Sequence, residues 1–180
     1  MRIHITGASG AGTTTLGRAL AAALSCPHFD SDDYYWMPTR PRYREKRPVE
    51  EHQALLLRDL APHAAWALSG SLVSRGQPFV PLFDRVVYLR VPTEVRLRRL
   101  RAREEARYAR DPDRTREEFE RDREEFLAWA AGYDEGGMDT RSRARHEAWL
   151  KTLACPVTRI EGERTVEECV RLVRADVLSS

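Results

Sequence analysis

The sequence contains few cysteines, and this scarcity excludes a fold held together by disulfide bonds. Cys26, Cys155 and Cys169 are odd in number, far apart, and not spaced like metal ligands. In a chain of 180 residues, cysteines of this kind are typical of unpaired thiols in a reducing compartment. We therefore expect a cytoplasmic protein without structural disulfides.

Long apolar runs and a large net charge are also absent. No run approaches the ~20 apolar residues of a membrane-spanning helix, and the formal net charge is only +2. We therefore expect neither a membrane nor a nucleic acid as partner. With 42% hydrophobic residues and no repeat or low-complexity linker, the sequence predicts one globular domain over residues 1–180. Monomer and homodimer remain open.

Lysine is nearly absent as well. Lys46 and Lys151 are the only lysines, so arginine supplies almost all of the positive charge. Codon usage in a GC-rich genome explains this bias more simply than selection for phosphate binding, although arginine does bind phosphate with two parallel N–H donors.

What the sequence does contain is a glycine-rich turn between a predicted strand and a predicted helix. Glycines let the backbone bend around an anion, and the start of a helix adds free N–H groups. The spacing follows the phosphate-loop pattern G-x-x-x-x-G-K-[ST], with Thr13 in the place of lysine and a hydroxyl for Mg²⁺ on Thr14 or Thr15. The pattern predicts a nucleotide site; a tight turn without a ligand is the alternative. Its candidate binding residues are Gly7, Ala8, Ser9, Gly10, Ala11, Gly12, Thr13, Thr14 and Thr15.

Three aspartates follow a short predicted strand over residues 27–29. The carboxyl ends of parallel strands are where ligands bind in open α/β sheets. Asp30 would therefore contribute with Thr14 to a metal site, and Asp32 would accept a proton from an acceptor hydroxyl. A solvated turn with helix-capping duty for Asp30, Asp32 and Asp33 is the alternative.

Residues 7–32 resemble the opening of P-loop kinases of the shikimate kinase and adenylate kinase group. The residues that carry this resemblance read G-A-S-G-A-G-T-T-T-L-G-R-A-L-A-A-A-L-S-C-P-H-F-D-S-D. Leu16 to Ala21 and the pair Asp30 and Asp32 are especially similar to shikimate kinase, whereas Thr13 departs from the family pattern. The resemblance implies ATP and Mg²⁺ as cofactors, a P-loop NTPase fold of strand order 2-3-1-4-5, and a helical lid.

The rest of the chain alternates strands and helices. Three more strands are predicted at residues 65–70, at the β-branched and aromatic run 85–91, and at residues 156–160. Helical patterns precede the first and the last of these three strands. Together with the first two strands they predict an α/β fold, a three-layer, doubly wound parallel sheet of five strands. By resemblance, the substrate-binding region covers about residues 30–64 and the lid about residues 99–145.

Two further segments supply candidate site residues. Residues 34–47 interleave aromatic and cationic side chains, a composition that suits ring stacking and anion binding. Tyr35, from this segment, and Arg75, just beyond the third strand, are substrate-binding candidates; an exposed loop and a surface turn are the alternatives.

An arginine-rich helix is predicted after Pro92. The run V-Y-L-x-V-P-T-E-V-x-x-x-R-L resembles the passage into the lid of these kinases, where arginines meet transferring phosphates. We expect Arg99 and Arg103, one turn apart, to act catalytically in place of the missing lysine, and Arg141 to reach the nucleotide. A solvated face paired with acids is the alternative. His146, at core spacing in a later predicted helix over residues 141–153, is expected to be a packed histidine.

These features predict ATP-dependent phosphoryl transfer to a small hydroxyl- or phosphate-bearing metabolite, such as a nucleoside, a nucleotide or a shikimate-like compound. The main alternative is a catalytically weak nucleotide-binding sensor or regulatory protein, which lost turnover with its lysine. An arginine-rich module that touches RNA is less favoured, because cations are mixed with acids and no nucleic-acid fold signature is present.

Overall fold

Five parallel strands form one sheet in the computed structural model, which describes residues 1–39, 43–109 and 114–178. The spatial order is β2-β3-β1-β4-β5, so the predicted order 2-3-1-4-5 is confirmed. The first and third strands are in register from Arg2 opposite Trp66 to Ile5 opposite Ser69. The strands are β1 (Arg2–Gly7), β2 (His28–Asp30), β3 (Trp66–Ser69), β4 (Arg85–Arg90) and β5 (Val157–Glu161).

Helices connect the strands and cover both faces of the sheet. On β1, Ile3 and Ile5 face one side, where they pack with α1 and α7. Residues of α3 and α6 form the second core on the other side, with Trp66 and Tyr88. The predicted three-layer P-loop NTPase fold is confirmed. The described α-helices are α1 (Thr13–Ala23), α2 (Ser31–Tyr35), α3 (Val49–Leu60), α4 (Thr93–Tyr108), α5 (Arg116–Ala131), α6 (Arg143–Leu150) and α7 (Val166–Leu178).

Several local expectations need correction. Helix α6 begins at Arg143 instead of residue 141, because the Ser142 hydroxyl caps it by accepting from the Arg145 N–H at 3.1 Å. Helix α4, the predicted arginine-rich helix, continues to Tyr108. Helix α2 and a 3-10 helix, Gln77–Leu82, were not predicted. Residues 110–113, within the expected lid, lie outside the described residues.

Helices α4 and α5 pack against each other beside the sheet. Leu100 joins Leu127 and Ala130 in a small apolar cluster, and the rings of Tyr108 and Phe119 stack at 4.4 Å. Thr115 and Glu118 form a capping box at the start of α5. The boundaries of the lid and of the substrate-binding region stay predictions. In the described part of the chain, no helix is long and apolar enough to cross a membrane.

Candidate active site

The phosphate-binding loop, residues 7–15, turns sharply between β1 and α1. An added Cβ would lie 2.7 Å from the Leu89 carbonyl oxygen at Gly7, and 2.7 Å from the Arg96 carbonyl oxygen at Gly10. At Gly12, whose φ is +95°, the nearest atom would be Arg99 Nη1 at 4.0 Å. The first two glycines are therefore required by the protein's own packing, whereas Gly12 borders open space.

The start of α1 is left uncapped by side chains. Gly12 is the N-cap residue and offers no side-chain hydrogen bond to the first-turn N–H groups. Such groups, together with the positive end of the helix dipole, are suited to binding a phosphate. The loop residues therefore fit the phosphates of a nucleotide, although the lysine of the usual pattern is replaced by the partly buried Thr13.

Thr14 and Asp30 meet beside this loop. The Thr14 hydroxyl donates a 2.7 Å hydrogen bond to Asp30 Oδ2, while Thr15 is exposed. Hydroxyl and carboxylate oxygens are ligands that Mg²⁺ accepts, and Mg²⁺ is often held jointly by one or two side chains and substrate phosphates. Within the described residues no group of three or more His, Cys, Asp or Glu side chains forms a self-sufficient metal site. The residues present therefore fit a metal ion shared with a nucleotide.

Asp30 also has a structural role. Its Oδ1 accepts from the backbone N–H of Asp32 at 3.1 Å, which caps α2. The capping interpretation of this aspartate and the metal interpretation are therefore compatible, because each uses a different carboxylate oxygen.

Asp32 stands at the edge of a cavity of about 610 Å³. Although Asp32 is exposed as a residue, the surrounding protein atoms desolvate its carboxyl group and raise its pKa, the neighbouring Asp30 raises it further, and Arg141 and Arg103 oppose the shift. A carboxylate with a raised pKa is a better proton acceptor near neutral pH. The same cavity gathers six of the predicted site residues: Ser9, Asp32, Tyr35, Arg75, Arg103 and Arg141.

The two substrate-binding candidates contact each other. The guanidinium carbon of Arg75 lies 3.5 Å from the centre of the Tyr35 ring. The Arg75 carbonyl oxygen accepts from Gln53 Nε2 at 2.9 Å, which fixes the backbone of this turn. The guanidinium of Arg75 therefore lines the cavity while it stacks on the Tyr35 ring.

Arg99 and Arg103 lie on one face of α4 but have different surroundings. Arg99 approaches Gly12 and donates to Glu163 Oε1 at 3.4 Å. Arg103 lines the cavity, forms a hydrogen bond to Glu104 at 3.0 Å, and lies over the Phe126 ring. Arg99 therefore lies beside the phosphate-binding loop, whereas Arg103 lies in the cavity that Asp32 also lines.

Arg141 connects the phosphate-binding loop to the cavity. Its Nη2 donates to the Gly7 carbonyl oxygen at 3.0 Å, and its guanidinium lies over the ring of Trp129. Burial lowers the pKa of this guanidinium, and the charge of Asp32 partly offsets that effect. Arginine nevertheless stays protonated, because its ordinary pKa is so high.

Sequence reasoning missed the role of Arg96. This side chain is fully buried, and all five of its N–H groups have acceptors. Arg96 contacts the carbonyl oxygens of Ser9 and Ala130 at 3.4 and 3.2 Å, which connects the phosphate-binding loop to the end of α5. Its other acceptors are the Val91 carbonyl, the Thr93 hydroxyl and the Asp134 carboxylate. No periodicity marks this arginine among its neighbours in α4.

His146 is buried as expected, and it also lines the cavity. Its Nε2 lies 3.3 Å from the Thr6 hydroxyl and 3.4 Å from the Ser71 hydroxyl, and its Nδ1 lies 3.1 Å from the Ser142 carbonyl. Burial, followed by the charge of Arg141, lowers its pKa to about 4. This neutral imidazole connects the ends of two strands to the start of α6.

Comparison with known proteins identifies the family of this chain. A family model described as "AAA domain" matches residues 3–125. The chain belongs to this AAA domain family. Its relative YqaC from Bacillus subtilis (strain 168), an uncharacterized protein, is 44% identical over 178 residues, which cover 99% of this chain and 97% of the relative.

Solved structures extend the likeness of this AAA domain protein at the level of the fold. A shikimate kinase from Acinetobacter baumannii in complex with shikimate gives a TM-score of 0.55 at 19% identity, covering 99% of this chain and 93% of the other. A gluconokinase from Sinorhizobium meliloti 1021 gives 0.54 at 17% identity, covering 97% and 89%. The predicted resemblance to P-loop kinases of the shikimate kinase group is confirmed as a shared fold.

Proposed function

We propose that this protein is a small-molecule kinase, which transfers the γ-phosphoryl group of ATP to a small metabolite. The observation that carries the proposal is Asp32, a carboxyl group with a raised pKa, in one cavity with Ser9 of the phosphate-binding loop and Arg103 of α4. The names of structurally similar proteins, shikimate kinase and gluconokinase, support a kinase that acts on small molecules.

Each group of residues has a distinct task in this proposal. ATP bound with Mg²⁺ supplies the phosphoryl group and part of the charge neutralisation. The N–H groups of the phosphate-binding loop hold the phosphates, and Thr14 and Asp30 hold the metal. Asp32 takes the proton of an acceptor hydroxyl as the new O–P bond forms, and the bond to the bridging oxygen of ADP breaks. Where the acceptor oxygen belongs to an ionised phosphate, no proton needs to move.

Arginines replace the missing lysine in this scheme. Arg99 is placed beside Gly12, and its permanent charge would neutralise phosphate oxygens from the side of α4. Arg103, which lines the cavity, would meet the transferring group nearer to Asp32. Arg141 would orient the loop through the Gly7 carbonyl and hold an anion at the same time.

A nucleotide-binding sensor is the second candidate. Thr13 favours it, because a loop without its lysine retains backbone contacts to phosphates but loses a cation that helps turnover. Binding without transfer would distinguish this candidate from the kinase.

The test combines nucleotide binding with product detection. We expect Mg²⁺-ATP and ADP to bind the wild-type protein, and Gly12→Val to abolish binding, because its side chain would occupy the phosphate position. Thermal unfolding of the Gly12→Val protein controls for the strain of a β-branched residue at positive φ. Transfer of labelled phosphate from ATP to a member of a metabolite pool supports the kinase. Unchanged ATP affinity in a folded Gly12→Val protein contradicts the site, and binding without any transfer favours the sensor.

A further inference from the structure

Among the described residues, three arginines that face the cavity form no ion pair with a carboxylate. Arg75, Arg141 and Arg145 all line the cavity, yet none of them forms an ion pair with any residue that the structure describes. The other arginines of the lining differ in this respect. Arg103 and Arg107 pair with Glu104, and the remaining two, Arg44 and Arg114, pair with Asp122.

Contacts that leave N–H groups free hold two of these guanidinium groups in place, and the third arginine is fixed at its backbone. Arg75 lies on the face of Tyr35, and Arg141 is fixed by the Gly7 carbonyl through one nitrogen. The backbone of Arg145 is fixed by the cap of α6. The Nε of Arg141 is buried and has no hydrogen-bond partner, which is costly unless a ligand satisfies it.

The charge of this group is larger than one carboxylate can balance. Asp32, which lines the same cavity, is the acid that acts on Arg141, so the three arginines carry two more charges than this carboxylate balances. Cationic side chains also outnumber acidic ones in the whole cavity lining, by eight to four. A phosphomonoester carries about −1.5 to −2 at neutral pH and offers three acceptor oxygens. A carboxylate carries only one negative charge, and a polyol carries none.

We propose that Arg75, Arg141 and Arg145 bind a phosphomonoester, so that the acceptor of this kinase is an already phosphorylated metabolite. The role of this ligand as phosphoryl acceptor rests on the proposed function, whereas the anion site itself does not. Held by its phosphate at the three arginines, the acceptor would present another oxygen towards Asp32. Arginine suits this task because its planar fork of donors matches phosphate oxygens.

Matched ligands test the proposal without nucleotide. Glycerol 3-phosphate and glycerate have the same carbon skeleton and differ in the anion, and Trp36 and Trp129 in the cavity lining give a fluorescence signal. We expect glycerol 3-phosphate to bind about 10-fold more tightly or better, since charge-assisted hydrogen bonds are strong. Equal or tighter binding of glycerate, or binding of neither ligand, overturns the proposal.

Single substitutions locate the site. We expect Arg75→Gln and Arg145→Gln each to weaken the binding of glycerol 3-phosphate by about 10-fold or more. Arg143→Gln is the matched control, because Arg143 lies on the same helix near Asp134 and outside the cavity lining. Loss of affinity in the control that equals the loss in Arg145→Gln contradicts the assignment.

A competition experiment with ADP distinguishes this anion site from the phosphate-binding loop. Glycerol 3-phosphate should bind equally well with and without saturating ADP, and its binding should persist in a folded Gly12→Val protein. Competition with ADP would place the anion in the loop and overturn the inference. A wild-type protein that binds glycerol 3-phosphate but neither binds ATP nor transfers phosphate would instead refute the kinase and leave the anion site standing.

Discussion

The hydroxyl of Thr14, in the first turn of α1, lies 2.7 Å from Oδ2 of Asp30 at the end of β2, although β3 separates β2 from β1, the strand that leads into α1. The contact exists because α1 carries the chain back along the sheet, so that β2 ends beside the loop from which α1 began. It connects the first turn of α1 to the carboxyl end of β2. A metal ion bound there would touch both the nucleotide and the acidic cluster.

Thr14→Val tests this metal site, since it keeps the shape of the side chain and removes the hydroxyl. We expect the affinity for Mg²⁺-ATP to fall about 10-fold, as for other losses of a metal-site contact. The affinity for ATP in EDTA should stay unchanged, and titration calorimetry with and without Mg²⁺ measures both. Thr15→Val is the control, because Thr15 is exposed one residue later. An equal loss of ATP affinity in EDTA would show that Thr14 is not a metal ligand.

Asp32→Asn tests the proton acceptor. We expect turnover to fall by about 10² to 10⁴, the usual contribution of a positioned base, whereas the affinity for nucleotide should change little. Steady-state kinetics and ADP binding measure the two effects. Turnover equal to that of the parent would assign Asp32 to capping or to anion positioning.

The pH dependence of the reaction gives a second view of Asp32. Desolvation by the surrounding protein and the charge of Asp30 raise its pKa, and only the ionised form accepts a proton. For an acceptor hydroxyl, kcat/KM should therefore fall as the pH drops through this raised pKa. Arg103→Gln removes a cation that lowers the pKa, so we expect the acidic limb of the profile to move to higher pH. If the acidic limb does not move, Arg103 does not influence the pKa of Asp32.

Features that depend on neighbouring residues could be predicted from the sequence, whereas contacts between distant segments could not. The alternation Ile3, Ile5 and the turn that starts at Gly7 are local, so the sequence was sufficient to predict the strand, the loop and the helix. The parallel order came from resemblance to a known fold. The connecting role of Arg96 could not be predicted, because its acceptors lie on segments that only the folded chain brings together. Likewise, the contact of Arg75 with Tyr35 joins residues forty positions apart.

Arg99→Ala tests the replacement of the missing lysine. Arginines that meet transition-state charge contribute about 10³ or more to phosphoryl transfer, so we expect a large loss of turnover and weaker ATP binding. Adding Thr13→Lys should restore part of both, because a lysine then approaches from the loop. Arg98→Ala is the control, since Arg98 is exposed and pairs with the same Glu163. Normal turnover in Arg99→Ala would contradict the replacement.

Arg96→Met tests the buried arginine. Its loss leaves the carbonyls of Ser9, Val91 and Ala130 without their donor, so we expect the free energy of unfolding to drop by about 3 to 5 kcal/mol. Hydrogen exchange should also accelerate at the phosphate-binding loop and at the end of α5. Arg98→Met, at an exposed position of the same helix, should cost under about 1 kcal/mol. Similar losses in the two variants would mean that Arg96 does not connect these segments.

His52 offers a test of stability that does not depend on any activity. The ring is 1% exposed, both of its nitrogens lack hydrogen-bond partners, and it packs near Tyr35 and Phe79. Burial, followed by the charges of Arg75 and Arg47, lowers its pKa to about 4. The unfolded chain, with an ordinary histidine pKa of about 6.5, therefore binds a proton that the folded chain does not. Stability is lost as the pH falls from about 6.5 towards 4.

We therefore expect His52→Phe to stabilise the protein, by about 1 to 2 kcal/mol more at pH 5 than at pH 7.5, because the phenyl ring fills the same space without a proton to bind. Urea unfolding at the two pH values measures the difference. His63→Phe, at an exposed position of the chain just after α3, controls for added apolar surface. The same gain at both pH values would mean that packing alone stabilises the variant, and a loss at both would show that His52 has a partner in solution.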